Sequence, residues 1–281
     1  MAQHALAADA AVDLQLHTVY SDGQWLPEQL LDYLVREGFG AAAITDHDRV
    51  DIVEPLQQLA RDAGFPLLIA VEMSAHWGDG LVDVLCYGFE PAASPLRALA
   101  DGVLARQQAN IWQTVGALEV AGHTLTAADL QAVAALPSVR QPHALVDLAQ
   151  QHGIGDADRS AGRVLLDAGL EIVTTDIAQV VDAVHRSGGV CLIAHPGRGG
   201  GFVVFDDALL DRLREEVAID GLEAHYPAHT PAQVAQFAGY AGQHGLLTSA
   251  GSDSHHRDRP PVRYPAAACR ALLERLGYSV V

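Results

Sequence analysis

Leu246-Leu247-Thr248-Ser249-Ala250-Gly251-Ser252-Asp253-Ser254-His255 is an apolar segment that runs into a polar turn. On an extended backbone, positions two apart face the same side, so Asp253 and His255 are delivered to one point. A matching pair, Gln15 and His17, closes a strand pattern near the other end of the sequence. These two ends are expected to meet in space around bound metal ions.

Outward from there, residues 12–17 alternate, with Val12, Leu14 and Leu16 on one face and Asp13, Gln15 and His17 on the other. That is a strand whose polar face must look at something. Pro27 opens a helix through about residue 37, stopped by Gly38. A short buried strand over 41–45 ends in Asp46-His47-Asp48, and a helix follows over about 52–63. A third strand over 66–71 ends at Glu72, a turn lies at Gly78-Asp79-Gly80, and a fourth strand over 81–89 contains Asp83. From Pro91 to about Thr174 the pattern becomes Ala/Leu-rich and helical, with turn signals near Gly122, Pro137, Pro142 and Gly153. The strand rhythm then resumes, with a helix over 176–185 and strands over 189–194, 219–224 and 246–251 that run into His195, His225 and the Asp253 turn.

Strands alternating with helices indicate parallel βα units. Every strand carries ionisable or metal-capable residues at or near its C-terminal end, where a parallel βα barrel keeps its active site. The expectation is an α/β fold: a distorted seven-stranded (β/α)7 barrel made of residues 10–92 and 175–281, with a helical subdomain inserted over 93–174.

Composition narrows the function. With 281 residues and 49% hydrophobic content, the chain has enough apolar material for a full core. A net charge of −18 argues against long nucleic acid and anionic membrane surfaces as partners. It leaves a phosphate substrate open, because bound metal reverses the local sign. Fourteen histidines in an acidic protein point to metal. The three cysteines, Cys86, Cys191 and Cys269, are scattered, which suits a reducing cytoplasmic setting. No signal peptide or membrane-spanning run is read. One histidine after a strand is more often structural than a ligand. Here Gln15, His17, Asp22, His47, Glu72, Asp83, His195, Asp253 and His255 all fall on the same expected rim, and chance is a poor account of that.

Asp13-Leu-Gln-Leu-His-Thr-x-x-Ser-Asp-Gly23, Ile44-Thr-Asp-His-Asp48, Val71-Glu72, Ala194-His-Pro-Gly-Arg198 and Gly251-Ser-Asp-Ser-His255 together resemble the motifs of the PHP (polymerase and histidinol phosphatase) family, in family order. The resemblance implies a distorted barrel that holds two or three divalent metals and hydrolyses phosphate esters. Its helical insertion is similar to that of the branch acting on small nucleotides, including nucleoside 3′,5′-bisphosphates, and on short RNA ends. Carried over by position, Gln15, His17, Glu72 and Asp253 surround a first metal. Glu72 bridges to a second that also takes Asp83 and His195, and Asp22, His47 and His255 hold a third. Two positions depart from the pattern: Gln15 stands where His is usual, and so does Asp83. Both changes move the donor set toward oxygen, which favours Mn2+ or Mg2+-like ions, with Zn2+ and Fe2+ as alternatives.

Arg198, in the Gly-rich loop after His195, is placed to grip phosphate with its planar fork. His229 and His143 resemble family substrate contacts, although the Arg often found two positions before the insertion His is Gln141 here. The expected mechanism is attack of a metal-bound hydroxide on phosphorus, with metals and Arg198 neutralising the oxygens and His225 or His229 as candidate proton donors. Cys191 reads as core and His185 as structural or surface. The expected substrate is a small phosphorylated metabolite, a nucleotide of the nucleoside 3′,5′-bisphosphate kind. The alternatives are a phosphodiesterase or 5′-to-3′ exonuclease on short oligonucleotides, and a non-catalytic metal-binding module. No signal identifies a protein partner.

Overall fold

The computed structural model describes residues 4–155 and 159–281. In chain order its strands are β1 (His4–Leu6), β2 (Ala11–Leu16), β3 (Phe39–Ile44), β4 (Leu67–Leu68), β5 (Ala70–Trp77), β6 (Gly80–Tyr87), β7 (Thr175–Asp176), β8 (Val190–Ile193), β9 (Gly221–His225), β10 (Leu247–Ala250), β11 (Tyr264–Pro265) and β12 (Tyr278–Val280). They form an α/β fold in three sheets, ordered β11-β2-β3-β4, β10-β9-β8-β6-β5-β7 and β1-β12. No helix among the described residues is long and apolar enough to cross a membrane.

Two compact units divide the chain: one runs to Ala100 and resumes at Thr175, and the other spans Asp101–Thr174. In the second unit, Ile111, Val115, Leu118, Val133, Leu145 and Leu165 build a separate apolar core. Thr126 and Asp129 form a capping box at the start of the helix Ala127–Ala134, satisfying N–H groups that the first helical turn leaves unpaired. Pro142 lies in the first turn of the helix Gln141–Gln151, not in a loop as its sequence context suggests. Its missing N–H is harmless there.

The first unit differs from the sequence expectation in three ways. Its described strands make no closed sheet. The two larger sheets touch instead through single bridges, Leu16 with Ser254 and His47 with Glu72. Second, the strands are not all parallel, because β6 is antiparallel to both β5 and β8. An apolar run reads the same in either direction, so periodicity could not reveal this. Third, Glu72 does not end its strand. It is an interior residue of β5, whereas Asp83 lies inside β6 as expected, opposite Ser74. The expected Gly78-Asp79 turn joins these two strands into a hairpin.

All six residues of β2 are buried. Val12 and Leu14 join the core of β3, β6, β8 and β10, whereas Ala11 and Leu16 pack with Leu30, Leu31 and Leu34 of the helix Pro27–Arg36. Leu16 leaves the face of Val12 and Leu14 because the β2–β3 register shifts between Asp13 and Leu16. Such an irregularity re-aims side chains, and here it falls beside Gln15 and His17.

Candidate metal centre

The nine residues expected to bind metal come together. Glu72 is fully buried and central. Gln15 Nε2 donates to its Oε1 at 3.0 Å. His17 Nε2 lies 3.0 Å from Oε2 and His195 Nε2 3.3 Å from Oε1, with His47 Nε2 at 3.9 Å. His17 Nε2 is also 3.2 Å from Asp253 Oδ1, and His195 Nε2 is 3.7 Å from Asp83 Oδ2. On the outer side, His255 Nε2 is 3.1 Å from Asp22 Oδ1, and its ring stacks on His17 with centroids 4.1 Å apart. His47 lies between the groups: its ligand atom is within 4.8 Å both of the Asp22–His255 set and of the Glu72–Asp83 set.

Backbone geometry delivers these side chains. His195 and Asp253 adopt positive φ, at 30° and 53°, as does Asp48 at 56°. Non-glycine residues rarely do so, and such strain gathers at functional sites. Asp253 is held by its own N–H donating to Gln15 O at 3.0 Å, and Asp48 by an N–H to Glu72 O at 2.8 Å. Gly251 has to be glycine: a Cβ there would come within 2.4 Å of Gln15 Cβ and 2.5 Å of Glu223 Oε1.

The electrostatics are those of donors crowded without enough protons. Burial works against charge on His47, but the Glu72 and Asp22 carboxylates outweigh it and raise its pKa to about 9. Burial likewise opposes charge on His17, yet Asp253 and Glu72 push it well above the ordinary imidazole range. Glu72 is held well below the usual carboxylate range by His47, His17 and His195 against the cost of burial. Burial, and then the Glu72 charge, raises Asp83 to about 7. Gln15 Oε1, both ring nitrogens of His17, His47 Nδ1 and Glu72 Oε2 are buried without a hydrogen-bond partner. Thus His17 and Glu72 meet at ion-pair distance without aligned hydrogen-bond geometry. Buried polar atoms are seldom left this way, whereas donors around one cation are naturally spaced so: bonds of about 2.0–2.2 Å put neighbouring ligands roughly 3 Å apart. The residues therefore fit divalent cations.

Several supporting residues were quoted within motifs but given no role by sequence reasoning. Asp13 is fully buried and accepts N–H bonds from Ser252 at 2.9 Å, Val262 at 2.8 Å and Gln15 at 3.3 Å. Asp46 accepts from the Thr18 N–H at 2.7 Å and from the Thr18 and Ser21 hydroxyls, each at 2.6 Å. Glu223 was missed altogether. Buried in β9, it accepts the His195 N–H at 2.9 Å, and burial pushes its carboxyl well above the usual range. A lone carboxylate inside an apolar strand was the available signal.

Arg198 joins the cluster, with Nη1 3.4 Å from His195 Nε2 and 3.7 Å from Asp253 Oδ2, and its guanidinium lies over the Phe202 ring. Beside it is a cleft of about 550 Å³ lined by Asp22, Arg198, Tyr226, Asp253, His255 and Arg259, among others. A larger cavity of about 920 Å³, lined by Gln57, Arg61, Phe65 and Tyr278, touches none of the nine residues. Volume is a poor guide here, and the ionisable chemistry decides for the smaller cleft. His229 does not present a free nitrogen as expected of a proton donor. Its Nε2 accepts the Gly197 N–H at 3.1 Å and its Nδ1 faces Ala224 O at 3.1 Å, so the ring braces the Arg198 loop. The capping box of Thr230 and Gln233 fixes the turn that carries it. His225 is half-buried, with its ring 6.1 Å from that of Tyr264. His143 is exposed on the helix Gln141–Gln151 of the second unit.

No family model matches the chain. Among solved structures, a metal-dependent phosphoesterase described as putative, from Bifidobacterium adolescentis, superposes with a TM-score of 0.72 at 22% identity, covering 96% of each chain. A Bacteroides vulgatus structure described as containing a predicted PHP-like metal-dependent phosphoesterase gives a TM-score of 0.50 at 13% identity, over 92% of this chain and 56% of that one. The chain has the fold of PHP-like phosphoesterases. In sequence it is 28% identical to a phosphoribosyl 1,2-cyclic phosphate 1,2-diphosphodiesterase of Eggerthella lenta, over 86% of this chain and 93% of the relative. It is also 28% identical to a 3′,5′-nucleoside bisphosphate phosphatase of Chromobacterium violaceum, over 91% and 95%. A 5′-3′ exoribonuclease of Haemophilus influenzae is 25% identical over 86% and 89%. The resemblance read from the motifs therefore holds in sequence and in fold.

Proposed function

We propose that this chain is a metal-dependent phosphoesterase that hydrolyses a small phosphorylated metabolite, with a nucleoside bisphosphate as the leading substrate class. One observation carries the reading: the buried carboxylate of Glu72 is ringed by His17, His47 and His195, with further carboxylates of Asp83 and Asp253 beside them. That is a cage for divalent cations beside the cleft of about 550 Å³. We assign Gln15, His17, Glu72 and Asp253 to one ion, Glu72, Asp83 and His195 to a second, and Asp22, His47 and His255 to a third. His47 is close enough to Glu72 to serve the second as well. The oxygen-rich set favours Mn2+. Such ions supply Lewis acidity toward the phosphoryl oxygens and the attacking water.

The protein's own groups do the rest. Arg198 binds the phosphoryl oxygens with N–H donors, and the Phe202 ring keeps its fork oriented. The proton released when water adds to phosphorus leaves to solvent through the cleft. The P–O ester bond breaks, and the leaving alkoxide takes a proton from His225 or from solvent. His229 is left out of this step because both its nitrogens are engaged with the backbone.

The exoribonuclease relative favours a second reading, hydrolysis of short oligonucleotides. A single assay separates them: Mn2+-loaded protein is offered nucleoside 3′,5′-bisphosphates and dinucleotides, and products are resolved by chromatography. Phosphate release from the bisphosphate with the dinucleotide left intact supports the first reading, cleavage of the dinucleotide to mononucleotides supports the second, and no hydrolysis of any phosphoester sinks both.

A further inference from the structure

Away from the cleft, a second set of ligand-type side chains meets at the opposite ends of β8 and β9. His185 sits in the last turn of the helix Ile177–Arg186, Cys191 is in β8, and Asp220 immediately precedes β9. Asp220 Oδ2 lies 2.8 Å from His185 Nε2 and 3.4 Å from Cys191 Sγ, and Sγ lies 3.9 Å from Nε2. Cys191 precedes His195 by four residues along one extended segment. At about 3.3 Å per residue the two positions are roughly 13 Å apart, so this triangle is separate from the first.

We propose that His185, Cys191 and Asp220 form a second metal site, distinct from the phosphoester pocket and selective for a zinc-class ion. A thiolate, an imidazole and a carboxylate are the donors of a tetrahedral site with one position left to water. Their mutual spacing of 2.8–3.9 Å is that of ligands sharing one ion. The side chains of His185 and Asp220 are 36% and 28% exposed, which gives the ion a route from solvent, while buried Cys191 forms the floor. On binding, the thiol proton leaves to solvent, and the thiolate and carboxylate together balance the dication. Asp220 also accepts the Cys191 N–H at 2.8 Å, the kind of outer bond that holds a ligating carboxylate in place. The two sites sort ions by softness: oxygen-rich donors in the cleft for hard ions, sulfur here for zinc. An ion here would pin the helix Ile177–Arg186 to the two strands that position His195 and Glu223.

Cobalt(II) tests this directly, because a thiolate–cobalt charge-transfer band in the near ultraviolet can come only from a cysteine, and the cleft has no cysteine ligand. Metal-stripped, reduced full-length protein is titrated with Co2+. The band is expected in the wild type and in Cys86→Ser, absent in Cys191→Ser, and shifted to at least about tenfold higher Co2+ concentration in His185→Ala. Wild-type protein that binds Co2+ by metal count yet shows no thiolate band overturns the proposal, as does a band that survives Cys191→Ser. Should Cys191→Ser fail to fold, the more exposed His185→Ala decides, and an unaltered titration there overturns it. Phosphoester hydrolysis by His185→Ala is expected to match the wild type, which keeps this test independent of the reading of the cleft.

Discussion

His17 Nε2 stands 3.0 Å from Glu72 Oε2, and both side chains are wholly buried. Neither atom has an aligned hydrogen-bond partner. Two buried groups in that state are paired through something between or beside them, and a cation satisfies both. His17→Ala should therefore reduce Mn2+-dependent phosphate release by more than about 100-fold, beyond the usual cost of losing an outer-shell partner. A mutant rate near wild type in the same assay would remove the metal cage from the mechanism.

Gln15→His tests the donor chemistry. Gln15 contributes an unpartnered buried Oε1 next to Glu72. Replacing the amide oxygen by imidazole nitrogen should move metal preference from Mn2+ toward Zn2+. Competition dialysis followed by metal analysis reads the ratio directly, and an unchanged ratio would mean Gln15 is not a ligand.

Arg198→Lys keeps the charge but loses the planar fork. If Arg198 binds phosphoryl oxygens, kcat/KM should fall about 10- to 100-fold, the range for lost hydrogen bonds to a charged group. Steady-state kinetics with a bisphosphate substrate decides, and a value within twofold of wild type contradicts the assignment.

Protons and metal should compete. Without metal, the neighbouring carboxylates raise the His47 pKa from its ordinary 6.5 to about 9. A proton bound more tightly in the folded state stabilises the fold fully below about pH 6.5, and that contribution is lost as pH rises through about 9. Metal-free protein should thus melt at progressively lower temperature across that window. Mn2+ should flatten the slope, because the cation takes the place of the protons. Melting curves with and without chelator are the measurement, and a flat metal-free profile would tell against it.

Asp13→Asn should weaken the fold and the site together. Its carboxylate accepts three backbone N–H groups, and an amide turns one acceptor into a donor facing a donor. A buried unsatisfied group costs about 1–3 kcal/mol. Metal affinity should fall by about 10- to 100-fold, as for other outer-shell losses. Denaturant titration and isothermal calorimetry report the two effects, and an unchanged midpoint would show that Asp13 does not tie these segments.

The convergence of the nine ligand-type residues was readable because most stand in or beside a short apolar run, in motifs with a known likeness. The direction of β6 was not, since an apolar run has no polarity of its own. The shift that turns Leu16 away from Val12 and Leu14 was also hidden, because it depends on pairing with β3. His229 was read by its chemical type, and only coordinates reveal that the backbone occupies both its nitrogens. Glu223 was visible as an odd residue in a strand, but its N–H donor, His195, is remote in sequence.

The N–H groups of Ser252 and Val262 that hold Asp13 are supplied 239 and 249 residues later in the chain. During synthesis, β2 must wait without these partners until nearly the whole first unit has left the ribosome. Completion of the pocket is thus a late event in folding, and a nascent chain carries the ligand-type side chains without the arrangement that brings them together.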